Sequence, residues 1–398
     1  SHWIHAEKLD EQTIVKAFIL IAINFAFQFP GSLYQGGLMG LQKQVSLNVI
    51  MGIISTVKAV GAILILWLIS PTIIAFLIWQ ILLSVTQLFF LRKSLWKYIP
   101  PIKDRPYFDK ISLRNSGRYA AGIMGISVFN IILTQSDKII LSNLVKLTEF
   151  GYYTLATVIS GTLAMALFPV TNAVFPKITE LVNKGSKAEF TELFHSTSQL
   201  VSFLIIPVSL SIFIFSHDII LAWTRNKEIA DHAGPILKYL VLGTMISSLM
   251  TIPYQYTLSI GWLRFGINIT SLAILVFLPI IFFAAYHYGA VGAAFVWMIL
   301  NATYFIFAML YLFSKHLKEE KIRWYLADIG RPFLVCFLSA TPFFLVRKMI
   351  ALTNITSIFL LAACMMLCYF TILWFGTPLV KNKALQMVTS FRKRRSLR

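Results

Sequence analysis

Long apolar runs separated by short polar or charged stretches dominate the chain. A run of about 20 apolar residues is long enough, as a helix, to cross a bilayer core of about 30 Å. On that reading the pattern predicts eleven crossings, at 13–29, 48–69, 71–91, 119–141, 151–174, 200–215, 236–256, 267–285, 290–313, 333–346 and 355–375. The expected fold is therefore all-α and polytopic. One polar stretch, 175–199, carries apolar residues at Ile178, Leu181, Val182, Phe190, Leu193 and Phe194. That helical spacing suits a segment lying along the membrane surface, with a solvated loop as the alternative.

Composition strengthens this picture. With 58% hydrophobic and 13% charged residues and a mean hydropathy of +0.75, lipid must be the solvent for most of the chain. No large soluble domain fits between the runs. A net charge of +19 could suit nucleic acid, but the basic residues lie in short stretches between apolar spans, so no nucleic-acid partner is expected. Those stretches alternate from loop to loop: a long one at 92–118, then Lys177, Lys184 and Lys187, then Arg264, then 315–331, then the tail after Gly376. In the opposite loops Arg225 and Lys227 are offset by Asp218, Glu228 and Asp231. Basic loops stay cytoplasmic, which predicts a cytoplasmic C-terminus whose basic tail meets anionic lipid. Eleven crossings then put residue 1 outside, and residues 1–11 lack the pattern of a secretory signal, so an odd number of helices is expected upstream.

Signs of catalysis are missing. There is no GxSxG, HExxH, phosphate loop or nucleotide-binding glycine pattern, the seven histidines are scattered, and no long outer loop could hold acidic or basic catalytic groups. No catalytic residue, cofactor or metal site is expected. Cys336, Cys364 and Cys368 all fall in apolar runs, where packing is the natural role.

Ionisable groups inside apolar spans carry the functional reading, because each costs about 2.5–3.5 kcal/mol to insert and should face water or a partner. Lys58 sits midway along its run. It suits an anionic cargo such as a diphosphate; alternatively its ammonium is satisfied by helix carbonyls or a neighbouring Asp. Asp137 and Lys138 belong to the polar run 134–138, with Gln135 beside them. Either they line a cavity and switch partners between states, or Lys138 reaches the interface while Asp137 makes a local pair. Asn130 and Asn172 are uncharged candidates for cargo contacts or for helix–helix hydrogen bonds. Pro169, Pro207, Pro253, Pro279 and Pro342 can bend their spans, statically or at a moving joint.

Several strings also resemble a known group. Tyr34, Gly36, Gly37, Leu38, Met39, Gly40, Leu41, Gln42 and Lys43, followed by Asn48, look like the cytoplasmic end of a fourth helix. TQSDKIIL at 134–141, with Gly151, Tyr152, Tyr153, Leu155 and Ala156, is similar to the first helix pair of a second half. Phe175, Pro176, Lys177, Ile178 and Leu181 resemble the loop that follows. Together they resemble the Wzx-type O-antigen flippases of the multidrug, oligosaccharidyl-lipid and polysaccharide exporter superfamily. That resemblance implies two six-helix bundles around a central cavity plus two trailing helices. It places a three-helix remnant of the first bundle at 1–91, a basic linker at 92–118, the second bundle at 119–313, two additional helices at 314–375 and a basic tail at 376–398, with three helices missing upstream. It further implies translocation of undecaprenyl-diphosphate-linked oligosaccharide across a bacterial inner membrane by alternating access. Proton or sodium coupling, with Asp137 as carrier, and a polysaccharide polymerase as partner follow from the same resemblance. A multidrug or lipid II exporter of the same superfamily is the alternative, and a membrane sugar polymerase or ligase is the alternative of another class.

Overall fold

The computed structural model describes residues 11–99, 110–349 and 354–382, and among these residues the chain is helical and has no strand. The basic tail expected at 376–398 lies mostly outside them, as does the middle of the stretch 92–118. The chain divides into two compact units, Ser1–Phe108 and Asp109–Arg398.

Unit one consists of α1 (Glu11–Gly40), α2 (Gln44–Leu68) and α3 (Ile73–Tyr98), with α1 and α2 both packed on α3. Thr72 starts α3 by accepting a hydrogen bond on Oγ1 from the Ala75 amide at 3.3 Å, filling one of the unpaired donors of a helix start. The buried core is small, centred on Leu38, Leu47 and Leu91. Most other apolar side chains of these helices point outward, as expected where the solvent is lipid. Lys43 sits 4.9 Å over the Tyr98 ring, whose hydroxyl lies 2.9 Å from Ser46 Oγ, so the α1–α2 turn is tied to the end of α3.

Unit two runs through α4 (Lys110–Leu144), α5 (Leu147–Met165), α6 (Phe168–Lys184), α7 (Lys187–Ile214), α8 (Ser216–Thr224), α9 (Lys227–Leu249), α10 (Thr251–Ser259) and α11 (Leu263–Thr303). After α12 (Met309–His316), the short α13 (Lys321–Arg323), α14 (Arg331–Met349) and α15 (Asn354–Thr371) complete it. The long α11 packs along α4 and α9, α5 packs on α9, and α7 runs against α9, α14 and α15. Tyr153, Phe194, Phe215, Phe313 and Trp324 are fully buried in one continuous core. The three cysteines are buried and free where α7, α14 and α15 meet, with Cys364 Sγ accepting from Ser211 at 3.6 Å.

Among the described residues nine helices are long and apolar enough to cross a membrane, or ten if the bent pair α9 and α10 is one span. One of the nine is the 54-residue stretch Leu263–His316, far longer than a bilayer core requires. It breaks at Gly289, whose φ of +58° lies in the left-handed region. The Ala290 amide there donates to Glu149 Oε1 at 2.8 Å, and a Cβ on Gly289 would meet that same oxygen at 2.1 Å. Glu149, at the start of α5, thus caps the helix that leaves the break. A second break lies at Met250, where α9 and α10 diverge by 41°. Pro253 has no amide to donate to Leu249, which removes one helical hydrogen bond at the bend. Of the other prolines, Pro207, Pro279 and Pro342 lie inside helices and Pro169 opens α6.

The stretch 175–199 differs from both readings of its sequence. It is the end of α6, a turn at Gly185 and the first half of α7, and residues Phe194 to Gln199 are all buried inside unit two. The periodic apolar face belongs to a helix packed on protein. Three π-helical segments, Tyr304–Ala308, Trp324–Gly330 and Ile372–Gly376, interrupt the regular helices of this half. Tyr325 Oη donates to the Phe305 carbonyl at 2.7 Å, pairing a backbone acceptor in one of them with a residue of the next.

Candidate functional site

A cavity of about 530 Å³ lies in unit two, walled by α4, α5, α6, α9, α10 and α11. Its lining is rich in hydroxyls and amides for a space between membrane helices: Thr157 and Ser160 on α5, Thr244, Ser247 and Ser248 on α9, Thr251 and Gln255 on α10. The α9 and α10 groups straddle the bend at Met250. Discontinuous helices commonly build transporter binding sites, because a break exposes polar backbone and side chains toward a wet interior. Trp297 of α11 adds an aromatic face, and Asp137 of α4 is the buried charge at the wall.

Asp137 is held from two sides. Tyr153 Oη, fully buried on α5, donates a hydrogen bond to Oδ2, and the Lys138 amide donates to Oδ1 at 2.7 Å. Lys138 and Gln135 also line the cavity, and the ammonium donates to Gln135 Oε1 at 3.1 Å. Asp137 and Lys138 therefore do not pair with each other. Asn130 lines a separate space of about 250 Å³ on the other side of Ser247 and Thr251. Tyr304, at the head of the first π-helical segment, lines that space too. Asn172 is exposed on α6 and lines neither space, while its neighbour Thr171 faces the larger one.

Lys58 belongs to unit one. Its half-buried side chain donates to Ser84 Oγ at 3.1 Å and to Gln87 Oε1 at 3.2 Å, both on α3. Neutral acceptors thus take the place of the helix carbonyls or Asp considered from the sequence. A carboxylate partner from α1, α2 or α3 is ruled out beyond Glu11, because no Asp or Glu occurs between Gln12 and Lys103. Trp79 Nε1 donates to the Lys58 carbonyl at 3.2 Å, and its ring occupies the place a side chain on Gly61 would take, 2.2 Å from a Cβ built there. Gly61 is what lets α3 approach α2 at the lysine.

The hydroxyl lining of the larger cavity escaped sequence reading, since serines and threonines on five different helices carry no shared spacing. A sharper signal was available at Lys58: the long stretch of unit one without any acid leaves its charge with no local answer.

The model of a family described as polysaccharide biosynthesis protein matches residues 1–226, more than half of the chain. The chain belongs to this family. This polysaccharide biosynthesis protein is also similar to a Shigella flexneri protein named "Putative O-antigen transporter", 23% identical over 183 residues, which are 46% of the chain. The match spans 43% of that relative, less than half its length. Among solved structures it resembles the lipid II flippase MurJ in an inward closed conformation, with a TM-score of 0.59 and 18% identity over 89% of the chain and 72% of the flippase. The polysaccharide biosynthesis protein therefore shares the fold of a multi-pass membrane flippase, and the family match bears out the resemblance to polysaccharide exporters.

Proposed function

We propose that this protein moves a lipid-linked oligosaccharide, carried on undecaprenyl diphosphate, across the bacterial inner membrane by alternating access. The observation that carries this reading is the cavity in unit two. Sugars are recognised by dense hydroxyl and amide groups and by an aromatic face, which is what Thr157, Thr244, Ser248, Gln255 and Trp297 supply. The wall is largely apolar, and the hydroxyls and amides set into it, with Asp137 and Lys138, are what support sugar cargo over a purely apolar drug.

The diphosphate needs a cation, and Lys58 is one without a carboxylate in its own helices. Its neutral partners leave the ammonium's charge uncompensated, so anionic oxygens gain more there than at a lysine already in an ion pair. The polyprenyl tail stays in lipid, and the protein itself makes or breaks no covalent bond. The broken helices α9–α10 and α11 supply joints at which the cavity wall can change shape between states. Taking each side of Gly289 as a crossing, and α9–α10 as one, supports eleven crossings among the described residues, and the basic loops support a cytoplasmic C-terminus. The division at Phe108 supports 92–118 as the connection between the two bundles.

In a host whose surface polysaccharide depends on this protein, Lys58→Met abolishes the polysaccharide while protein abundance stays level. Unaltered polysaccharide in that strain removes Lys58 from the mechanism. Cargo exchange with lipid II in place of the oligosaccharide carrier distinguishes the lipid II reading.

A further inference from the structure

Away from the cavity, unit two buries a second group of ionisable side chains. His195 of α7 has no solvent exposure and lies between two carboxylates: Asp328, also fully buried, at Nδ1 and Glu320 Oε2 at 2.7 Å from Nε2. Carboxylates carry no hydrogen of their own when ionised, so two hydrogen bonds on one ring need two protons. A neutral imidazole supplies one. The second must come from a titrating group, either the ring as imidazolium or one acid as a carboxylic acid.

The surroundings give that proton one way in. Asp328 lies in the π-helical segment Trp324–Gly330, and its outer oxygen accepts from Gln199 Nε2 at 2.9 Å. Gln199 Oε1 in turn accepts from the Leu379 amide at 3.0 Å, and the Asp328 carbonyl accepts from Ser202 at 2.6 Å. None of these partners can take a proton, so this side is closed. Glu320 instead lines a pocket of about 400 Å³ with Lys187, Thr191 and Tyr256. Thr191 donates to Glu320 Oε1 at 3.1 Å.

We propose that His195, Asp328 and Glu320 form a proton-binding site of this protein, loaded from the pocket at Glu320. A proton on Glu320 Oε2 passes to His195 Nε2, and the proton on Nδ1 passes to Asp328 Oδ2. Charge and atoms balance: Glu320 becomes the carboxylate, the ring stays neutral and Asp328 becomes the acid. Among the described residues the other charged or titratable groups facing the cluster are few. Lys187 of α7 is paired with Glu319 at 2.8 Å, Lys315, His316 and Lys318 rim the pocket, Arg323 stands on α13, and Tyr256 comes from α10. From the segment after α15 the contact is the Leu379 amide, while Lys381 lies over the Trp374 ring. The cluster joins α7, the π-helical segment and the segment around Leu379 that follows α15, so its proton count alters the contacts among three elements at once. That makes it a place, besides the Asp137 carrier expected from the resemblance, where a proton gradient acts on transport, a consequence that rests on the flippase reading; the proton site itself does not.

Two measurements on the full chain separate these claims. In the first, the infrared carbonyl band of a carboxylic acid is followed through a pH titration of the purified protein. A titrating band in the native protein that is absent in Asp328→Asn and altered in Glu320→Gln is expected; no such band, or one unchanged in both variants, overturns the site. Glu320→Gln, at the pocket, keeps the test open should Asp328→Asn fail to fold. In the second, oligosaccharide carriers are exchanged across vesicles with and without an imposed proton gradient. Asp328→Asn is expected to keep gradient-free exchange and lose an acceleration of about tenfold. Equal acceleration in native protein and variant overturns the coupling role. Absence of exchange in the native protein overturns the flippase reading and leaves the infrared result standing.

Discussion

The two units handle charge in opposite ways. In unit two three buried or part-buried carboxylates meet partners from other helices: Asp137 has Tyr153, Asp328 has His195 and Gln199, and Asp218 accepts from Arg347 Nε at 2.6 Å and Ser357 at 3.0 Å. Unit one holds Lys58 on a serine and a glutamine, with no acid in reach along its own helices. A satisfied charge stabilises an arrangement, whereas a cation given only neutral acceptors remains available to an anion from outside.

Substitutions can test how deep this difference goes. The largest effect on stability is expected from His195→Ala, which strands Asp328 without its main partner and should cost about 3–5 kcal/mol, read as a lowered unfolding midpoint in detergent. Tyr153→Phe removes one hydrogen bond to the buried Asp137 and should cost about 1–3 kcal/mol by the same measurement. Lys58→Met, despite its expected block of polysaccharide export, should move stability by no more than about 1 kcal/mol, because it breaks no ion pair. A large loss of stability in this variant would erase the contrast between the units. Glu180→Ala, which releases Lys177 and Lys184 at the surface of α6, sets the floor at about 0–1 kcal/mol.

How much of this was readable beforehand follows from the range of each interaction. Membrane spans are local, so the apolar runs located the helices closely, and Lys58 and Asp137 stood out because each interrupts a run. The His195 cluster did not, since its members are separated by 125 and 133 residues along the chain and each sits near a span end where charge is unremarked. The histidines that looked scattered include one enclosed by two acids. At 175–199 the apolar spacing was real, but periodicity records that one face is covered without recording whether lipid or protein covers it. Asn172 shows the converse: a polar residue inside an apolar run ended exposed, one position away from the threonine that faces the cavity.

The bare backbone at Gly61 has a further consequence. By admitting the Trp79 indole, it pins the peptide of Lys58 and restricts where the ammonium can lie, so under the proposed function little freedom would be lost on capture. On the function proposed above, Ser84 and Gln87 would surrender the ammonium to phosphate oxygens and reclaim it afterwards without leaving a stranded counter-ion. A grip of that kind opens as readily as it closes, which a carrier needs and a storage protein does not.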